Sequence, residues 1–206
     1  MVAFSMIELS ARNFNLFTQR NFLDAQTCRD LIDEARSAPT TRAPVYIRGS
    51  DEVIHETIRK TTSFHPSDET LSRIHERLLA QKSVLEAHFG QSLSDCEQPQ
   101  FLRYEAGDFF VRHQDGNTEQ LEFDHLRIRR ISLIVFLNDH SVEPKENCYS
   151  GGALNLYDKD NMPPEGPEPV PVFGETGLLI AFAAETMHEV APVTSGERFT
   201  IITWFR

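Results

Sequence analysis

The sequence predicts a mainly β domain, a jelly roll backed by N-terminal helices, and three observations carry that expectation. From Gln100 onward, short apolar runs with a period of two are separated by Gly, Pro, Asn and Asp, the pattern of paired strands in a sandwich or barrel. Before Gln100, two stretches instead carry apolar residues at helical spacing. A chain of 206 residues buries one core well and is short for two. Residues 1–206 are therefore expected to form a single domain, with 1–99 as a helical buttress plus N-terminal strands and 100–206 as the β core.

Asp24 is placed to cap the first helix, in which Ala25, Cys28, Leu31, Ile32 and Ala35 recur on one face before Pro39 and Pro44 interrupt it. Pro66 and Ser67 precede a longer helical segment. Asp68 and Glu69 suit its electropositive first turn, Leu71, Ile74, Leu78, Leu85 and Phe89 form its stripe, and Gly90 ends it. The expected strands are 101–104, 109–113, 128–137, 153–157, 170–173, 178–182, 188–192 and 199–204. Eight strands suit a jelly roll. The proline-rich stretch between Asp158 and Pro171 cannot donate to a central ladder and reads as an exposed loop.

Composition excludes several classes. No apolar run approaches the roughly 20 residues of a membrane-spanning helix. The stretch from Met1 to Phe14 mixes Glu8, Arg12 and Asn13 among its apolar residues and lacks a basic leader before an apolar core. Cys28, Cys96 and Cys148 lie far apart with no C-x-x-C pair, which fits reduced thiols. A cytoplasmic protein is expected. A formal charge of −11 repels a phosphate backbone and argues against nucleic acid as a partner. A basic rim of Arg103, Arg112, Arg127, Arg129 and Arg130 is conceivable, although strand-edge arginines are ordinarily just solvated.

The chemistry concentrates in His113-Gln114-Asp115. Residues two apart on a strand project from one face, so this imidazole and carboxylate would meet. With a third ligand from another strand, for which His188 is the candidate, they would make two nitrogens and one oxygen on one side of a metal. That set suits non-haem Fe(II) with coordination positions left open. Among the eight histidines, His113 alone has an Asp two residues later at a strand end in the β region. His55, His75 and His88 are expected on helices as surface residues, His65 sits beside a helix start, and His125 and His140 are expected in loops near the mouth. Arg198 opens the last strand after the Thr194-Ser195-Gly196 turn, and a guanidinium inside a barrel needs an anionic partner. A dicarboxylate would supply it.

The stretch from Phe101 to Trp204 resembles the prolyl 4-hydroxylase-like branch of the 2-oxoglutarate/Fe(II) oxygenases. The matching pieces are Arg103 to Gly107, His113-Gln114-Asp115, Arg129 through Ser132 to Asn138, Gly151 to Leu154, Glu175-Thr176-Gly177, His188 to Val193, Gly196-Glu197-Arg198 and Trp204. The resemblance implies a double-stranded β-helix of the cupin-like kind. It implies Fe(II) on His113, Asp115 and His188, and 2-oxoglutarate gripped by Arg198 with help from Tyr104 and Thr200. Ser132, Ile134 and Phe136 would point inward. Phe136 stands where hypoxia-sensing relatives have a tyrosine on the same carboxylate, which leaves that hydrogen bond to Thr200 or an ordered water. Arg129 and Trp204 match substrate-contacting positions. No side chain beyond the metal centre needs to act as acid or base, and ascorbate is a possible auxiliary reductant.

The reaction implied is oxidative decarboxylation of 2-oxoglutarate to succinate and CO₂, coupled to hydroxylation of an unactivated C–H bond in a protein, peptide or small amino-acid-like molecule, with a prolyl residue first in order. Ile134, Phe136, Leu154 and Val190 would keep water out, and residues 116–127 and 139–150 would form the lid. Two alternatives stand beside it. An oxidative nucleic-acid demethylase would carry a second arginine six residues after Arg198, where this chain has Trp204. A non-catalytic metal-binding jelly-roll module would need neither Arg198 nor Tyr104, and a zinc hydrolase would need a general base that the sequence does not offer.

Overall fold

In the computed structural model, residues 15–47, 50–119, 123–143, 145–158 and 168–206 are described, with side chains omitted for residues 46–52. The chain path itself defines the architecture. Strands β7 (Gln100–Tyr104), β9 (Ile131–Phe136), β13 (Leu179–Ala183) and β16 (Arg198–Phe205) belong to one antiparallel sheet, ordered β13-β9-β16-β7. Strands β8 (Phe109–His113), β11 (Leu154–Tyr157) and β14 (Met187–Val190) belong to a second, ordered β11-β14-β8. The backbone thus passes from sheet to sheet with nearly every strand, and this alternation winds a double-stranded β-helix.

Shorter strands extend both sheets. β1 (Phe17–Gln19) flanks β13, while β6 (Thr62–Phe64) and then β2 (Thr40–Arg42) continue beyond β7. β12 (Val170–Val172) and β5 (Arg59–Lys60) are the edges of the second sheet. Pro171 sits in that edge strand, where its missing N–H costs no ladder bond. Two further two-stranded pairs stand apart, β3 (Val45–Ile47) with β4 (Ser50–Val53), and β10 (Tyr149–Gly151) with β15 (Val193–Gly196).

The larger sheet is buried on both faces, which explains why β9 is buried throughout and apolar at every position but Ser132. Leu133, Val135, Phe199, Ile201 and Phe205 face the helices, in one core with Cys28, Leu31, Ile32, Ile74, Leu78 and Leu85. The opposite face sends Ile134 and Phe136 into a second core with Leu154, Leu156 and Val190 from the smaller sheet and Val193 from β15. The first-third helices therefore pack against the outer face of the larger sheet.

Helix α1 spans Ala25–Ser37, and the Asp24 carboxylate accepts from the Thr27 N–H at 2.8 Å as its cap. The stretch expected as one long helix is two, α2 (Asp68–Leu79) and α3 (Lys82–Phe89), with Gly90 closing α3 in the left-handed region at φ 65°. Ala80 and Gln81 turn the chain so that Leu78 and Leu85 both reach the core. A four-residue helix α4 (Asp124–Arg127) holds His125 and occupies what periodicity assigns to loop, and Ile128 belongs to its end rather than to β9. His55 lies in a turn, not a helix, because its backbone carbonyl accepts from Ile58 and Arg59. Thr194-Ser195-Gly196 is strand rather than turn, since β15 finds its partner β10 over forty residues upstream, a pairing no local pattern signals. Residues 159–167 of the proline-rich stretch lie outside the described residues.

Candidate active site

The two histidines are brought together by strand register. β8 and β14 pair antiparallel with His113 opposite His188, and the ring centroids stand 4.2 Å apart. Asp115 follows the end of β8, where its N–H and that of Gly116 both donate to the Ala184 carbonyl at 2.9 and 3.1 Å. Gln114 adds a bond to the Glu185 carbonyl at 2.6 Å. The turn is thereby tied to the β13–β14 connection, and its carboxylate swings between the imidazoles. His113 Nε2 lies 3.4 Å from one Asp115 oxygen and His188 Nε2 lies 3.5 Å from the other. Ligand atoms of all three side chains fall within 4.8 Å of one another.

The outer bonds of these rings set their chemistry. His113 Nδ1 donates to the Val111 carbonyl and His188 Nδ1 to the Thr186 carbonyl, each at 2.8 Å. A carbonyl only accepts, so each neutral ring carries its proton on Nδ1 and turns a bare Nε2 lone pair toward Asp115. Burial and the neighbouring His113 hold His188 down to about 4, with Asp115 acting the other way, so its imidazole stays neutral at physiological pH. Burial raises the Asp115 carboxyl, while a proton on either imidazole and the Trp204 hydrogen bond lower it, and the net direction is down. Ser132 Oγ donates to Asp115 Oδ2 at 2.7 Å. Two lone pairs and an ionised carboxylate converging on one point repel unless a cation lies among them, so the donor set fits a divalent metal.

A cavity of about 400 Å³ opens at this cluster, within the range of small-molecule sites. Tyr104, Ser132, Ile134, Leu154, Val190, Arg198, Thr200 and Trp204 all line it. Arg198 sits opposite Tyr104 across the β16–β7 ladder. It is 1% exposed, lies near the Tyr104 and Phe136 rings at 5.0 and 5.2 Å, and reaches Thr200 Oγ1 with Nη1 at 3.5 Å. Its Nε has no hydrogen-bond partner among the described residues. A buried guanidinium with an unused donor fits a carboxylate ligand. Gly152 makes room for it, because a Cβ there would stand 3.1 Å from Arg198 Cδ and the residue adopts φ +59°.

Arg129 also lines the cavity, but its charge is already committed. Nε and Nη2 grip both Glu97 oxygens at 2.9 and 2.7 Å, and the guanidinium stacks on Trp204 at 3.6 Å. The other arginines of the conceivable basic rim are partly neutralised too. Arg103 pairs with Glu105 and Glu197, and Arg127 with Asp124.

Some expectations are placed elsewhere. His140 packs on Phe173 and Tyr149 and lines a separate cavity with Asp139 and Glu175. Among the described residues of 139–150, none lines the cavity at His113, Asp115 and His188. Its wall is made instead by Pro44, Val45, Ile58 and Arg59 from the N-terminal strands, joined by Thr118 and Leu126. Four contributors escaped the sequence. Ser132 was recognisable only as inward-facing, Glu97 and Arg59 lie in segments with no motif, and Tyr149 belongs to β10. The Tyr149 ring lies 6.0 Å from Arg198, and its hydroxyl accepts from the Gly174 N–H at 3.1 Å. Phe136, Gly174 and Tyr149 crowd one another there.

Comparison with known proteins is consistent with this geometry. The family model of the 2OG-Fe(II) oxygenase superfamily matches residues 99–206. The PKHD-type hydroxylase of Janthinobacterium sp. (strain Marseille) is 33% identical over 113 residues, which cover 52% of this chain and 42% of that protein. The matched part thus spans less than half the length of such relatives. The crystal structure of a Pseudomonas putida prolyl-4-hydroxylase superposes with a TM-score of 0.64 at 24% identity, covering 94% of this chain and 93% of that one. A prolyl hydroxylase from Trichoplax adhaerens, solved with a peptide fragment of the hypoxia inducible factor oxygen degradation domain, gives 0.67 at 17% identity, covering 98% and 93%. These likenesses concern the fold. Since the family model spans just over half of its residues, the chain belongs to the 2OG-Fe(II) oxygenase superfamily.

Proposed function

We propose that this protein is a 2-oxoglutarate- and O₂-dependent hydroxylase of an unactivated C–H bond, acting on a prolyl residue of a peptide or on a small amino-acid-like molecule. The observation that carries the reading is a single cavity holding both the His113, Asp115 and His188 cluster and the unpartnered Nε of Arg198. His113, Asp115 and His188 would hold Fe(II), and Arg198 with Thr200 and Tyr104 would hold the co-substrate. When bound, the iron and 2-oxoglutarate supply the oxidising chemistry, and the protein supplies placement.

Each neighbouring group has a defined task. The Nδ1–H bonds fix both imidazole tautomers, Ser132 orients the carboxylate, and Ile134, Leu154 and Val190 exclude water. Arg129, held by Glu97, and Trp204 would border the substrate. The described residues are read as one catalytic unit, because the helices share their core with the larger sheet. A peptide substrate is supported by the peptide bound to the Trichoplax relative. Three unpaired thiols suit a cytoplasmic setting, and among the described residues no helix is long and apolar enough to cross a membrane.

Anaerobic addition of Fe(II) and 2-oxoglutarate is expected to produce a weak visible charge-transfer band. His188→Ala should abolish it through loss of iron, whereas Arg198→Ala should keep the iron and require far more 2-oxoglutarate. Succinate release and a product heavier by one oxygen atom complete the test. Normal turnover by Arg198→Ala at low 2-oxoglutarate would refute the assignment of that residue, and a wild-type protein with no band would refute the reading.

A further inference from the structure

Arg59 is a second buried cation of the cavity, and nothing in the reaction described so far employs it. It lies on β5, paired opposite Phe110 of β8, and is 7% exposed. Nη1 donates to the Pro44 carbonyl at 3.0 Å. Nε and Nη2 have no hydrogen-bond partner among the described residues. The guanidinium stands over the Phe110 ring at 4.9 Å, and that ring stacks on the His113 imidazole at 3.6 Å. One aromatic ring therefore separates an unused positive charge from a metal ligand.

Burial opposes the charge on Arg59, with the Tyr104 phenol and the Asp115 carboxylate acting in its favour. Arginine nevertheless stays protonated in proteins, so the cost of burying it unpaired persists until an anion arrives. The other groups of the cavity balance without it. A ferrous ion with Asp115 and Arg198 would offset the two carboxylates of 2-oxoglutarate, and Glu97 is shared by Arg129 and Arg206. Arg112 lies at the exposed mouth, stacked on Tyr157 at 3.7 Å. Arg59, held by Pro44 and Phe110, is the buried positive charge left in the cavity wall.

We propose that Arg59 binds a carboxylate of the substrate, so that the molecule hydroxylated is an acid held on the Phe110 side of the metal ligands. This rests on the iron and 2-oxoglutarate site proposed above and specifies its second ligand. The carboxylate could come from a free amino acid or from an acidic residue of a peptide, and both are recognised through the same two N–H donors.

The test uses the full chain loaded anaerobically with Fe(II) and 2-oxoglutarate. Its visible band and melting temperature are followed on adding L-proline, L-leucine and L-glutamate, their carboxamides, and end-blocked proline peptides with and without a glutamate. Acids are expected to perturb the band and raise the melting temperature while the carboxamides do not. A response confined to free acids assigns the carboxylate to an amino acid, and one confined to glutamate-containing peptides assigns it to a side chain. Arg59→Gln should weaken acid binding by roughly thirtyfold and leave the 2-oxoglutarate titration of the band unchanged, with Arg59→Lys in between. Because Arg59→Gln gives up the Pro44 bond and the Phe110 contact but also relieves an unpaired buried charge, the melting temperature of the ligand-free protein should change little, whereas loss of a structural ion pair would lower it. Equal response to acids and carboxamides, no response to any acid, or a large loss of 2-oxoglutarate affinity in Arg59→Gln would each overturn the proposal. Absence of the band in the wild type would instead sink the oxygenase reading beneath it.

Discussion

At the residue scale, Ser132 bears on how well Asp115 could serve as the metal ligand proposed above. Its hydroxyl donates to the Asp115 oxygen that also faces His188. Without that bond the carboxylate is free to rotate away from the point where three donors converge. Ser132→Ala should therefore lower Fe(II) affinity by about 10- to 100-fold while leaving the melting temperature of the metal-free protein nearly unchanged. Metal titration followed by intrinsic fluorescence would check it, and an unaltered affinity would remove Ser132 from the site. The residue was visible in the sequence as inward-facing by alternation. Its bond to Asp115 was not, because the partner lies seventeen residues upstream on a turn whose placement depends on Ala184.

Among the elements, the link between the segment before β7 and the end of β16 is the most exposed to a single change. Glu97 accepts from Arg129 through both oxygens and from Arg206 at 3.2 Å. The Arg129 and Glu97 side chains are only 9% and 13% exposed. Removing one partner of a pair this enclosed strands the other charge, so Glu97→Ala should cost about 3 kcal/mol, read from chemical denaturation. It should also loosen Trp204, on which Arg129 stacks. Helix α1 offers a milder comparison. Asp24→Ala removes its N-cap and should cost about 1 kcal/mol, with the metal site untouched.

For the whole molecule, pH acts through the buried centre. His188 is depressed in the folded chain to about 4 from an ordinary value of 6.5, so it remains neutral where the unfolded chain takes up a proton. A buried imidazole of this kind contributes stability that is fully present above about pH 6.5 and is lost as pH falls toward about 4. The lowered Asp115 adds a second loss only below the ordinary carboxylate range. The metal-free protein should thus be less stable at about pH 5 than at about pH 7 by about 2 kcal/mol, read as a lower melting temperature. His188→Gln should flatten that difference. A melting temperature independent of pH across this window would contradict the buried neutral imidazole.

What the amino-acid order determined by itself was everything carried by local period and by spacing. The eight expected strands, the Asp24 cap, the Gly90 stop and the two-residue offset of His113 and Asp115 depend only on neighbours along the chain. Tertiary structure alone decided what depends on partners far away. The register that sets His113 against His188, the pairing of β10 with β15, the capture of Arg129 by Glu97 and the burial of Arg59 against Phe110 all join segments tens of residues apart. Such contacts are selected by how two sheets close around a shared interior, and a side chain's partners in that interior leave no periodic trace in the segment that carries it.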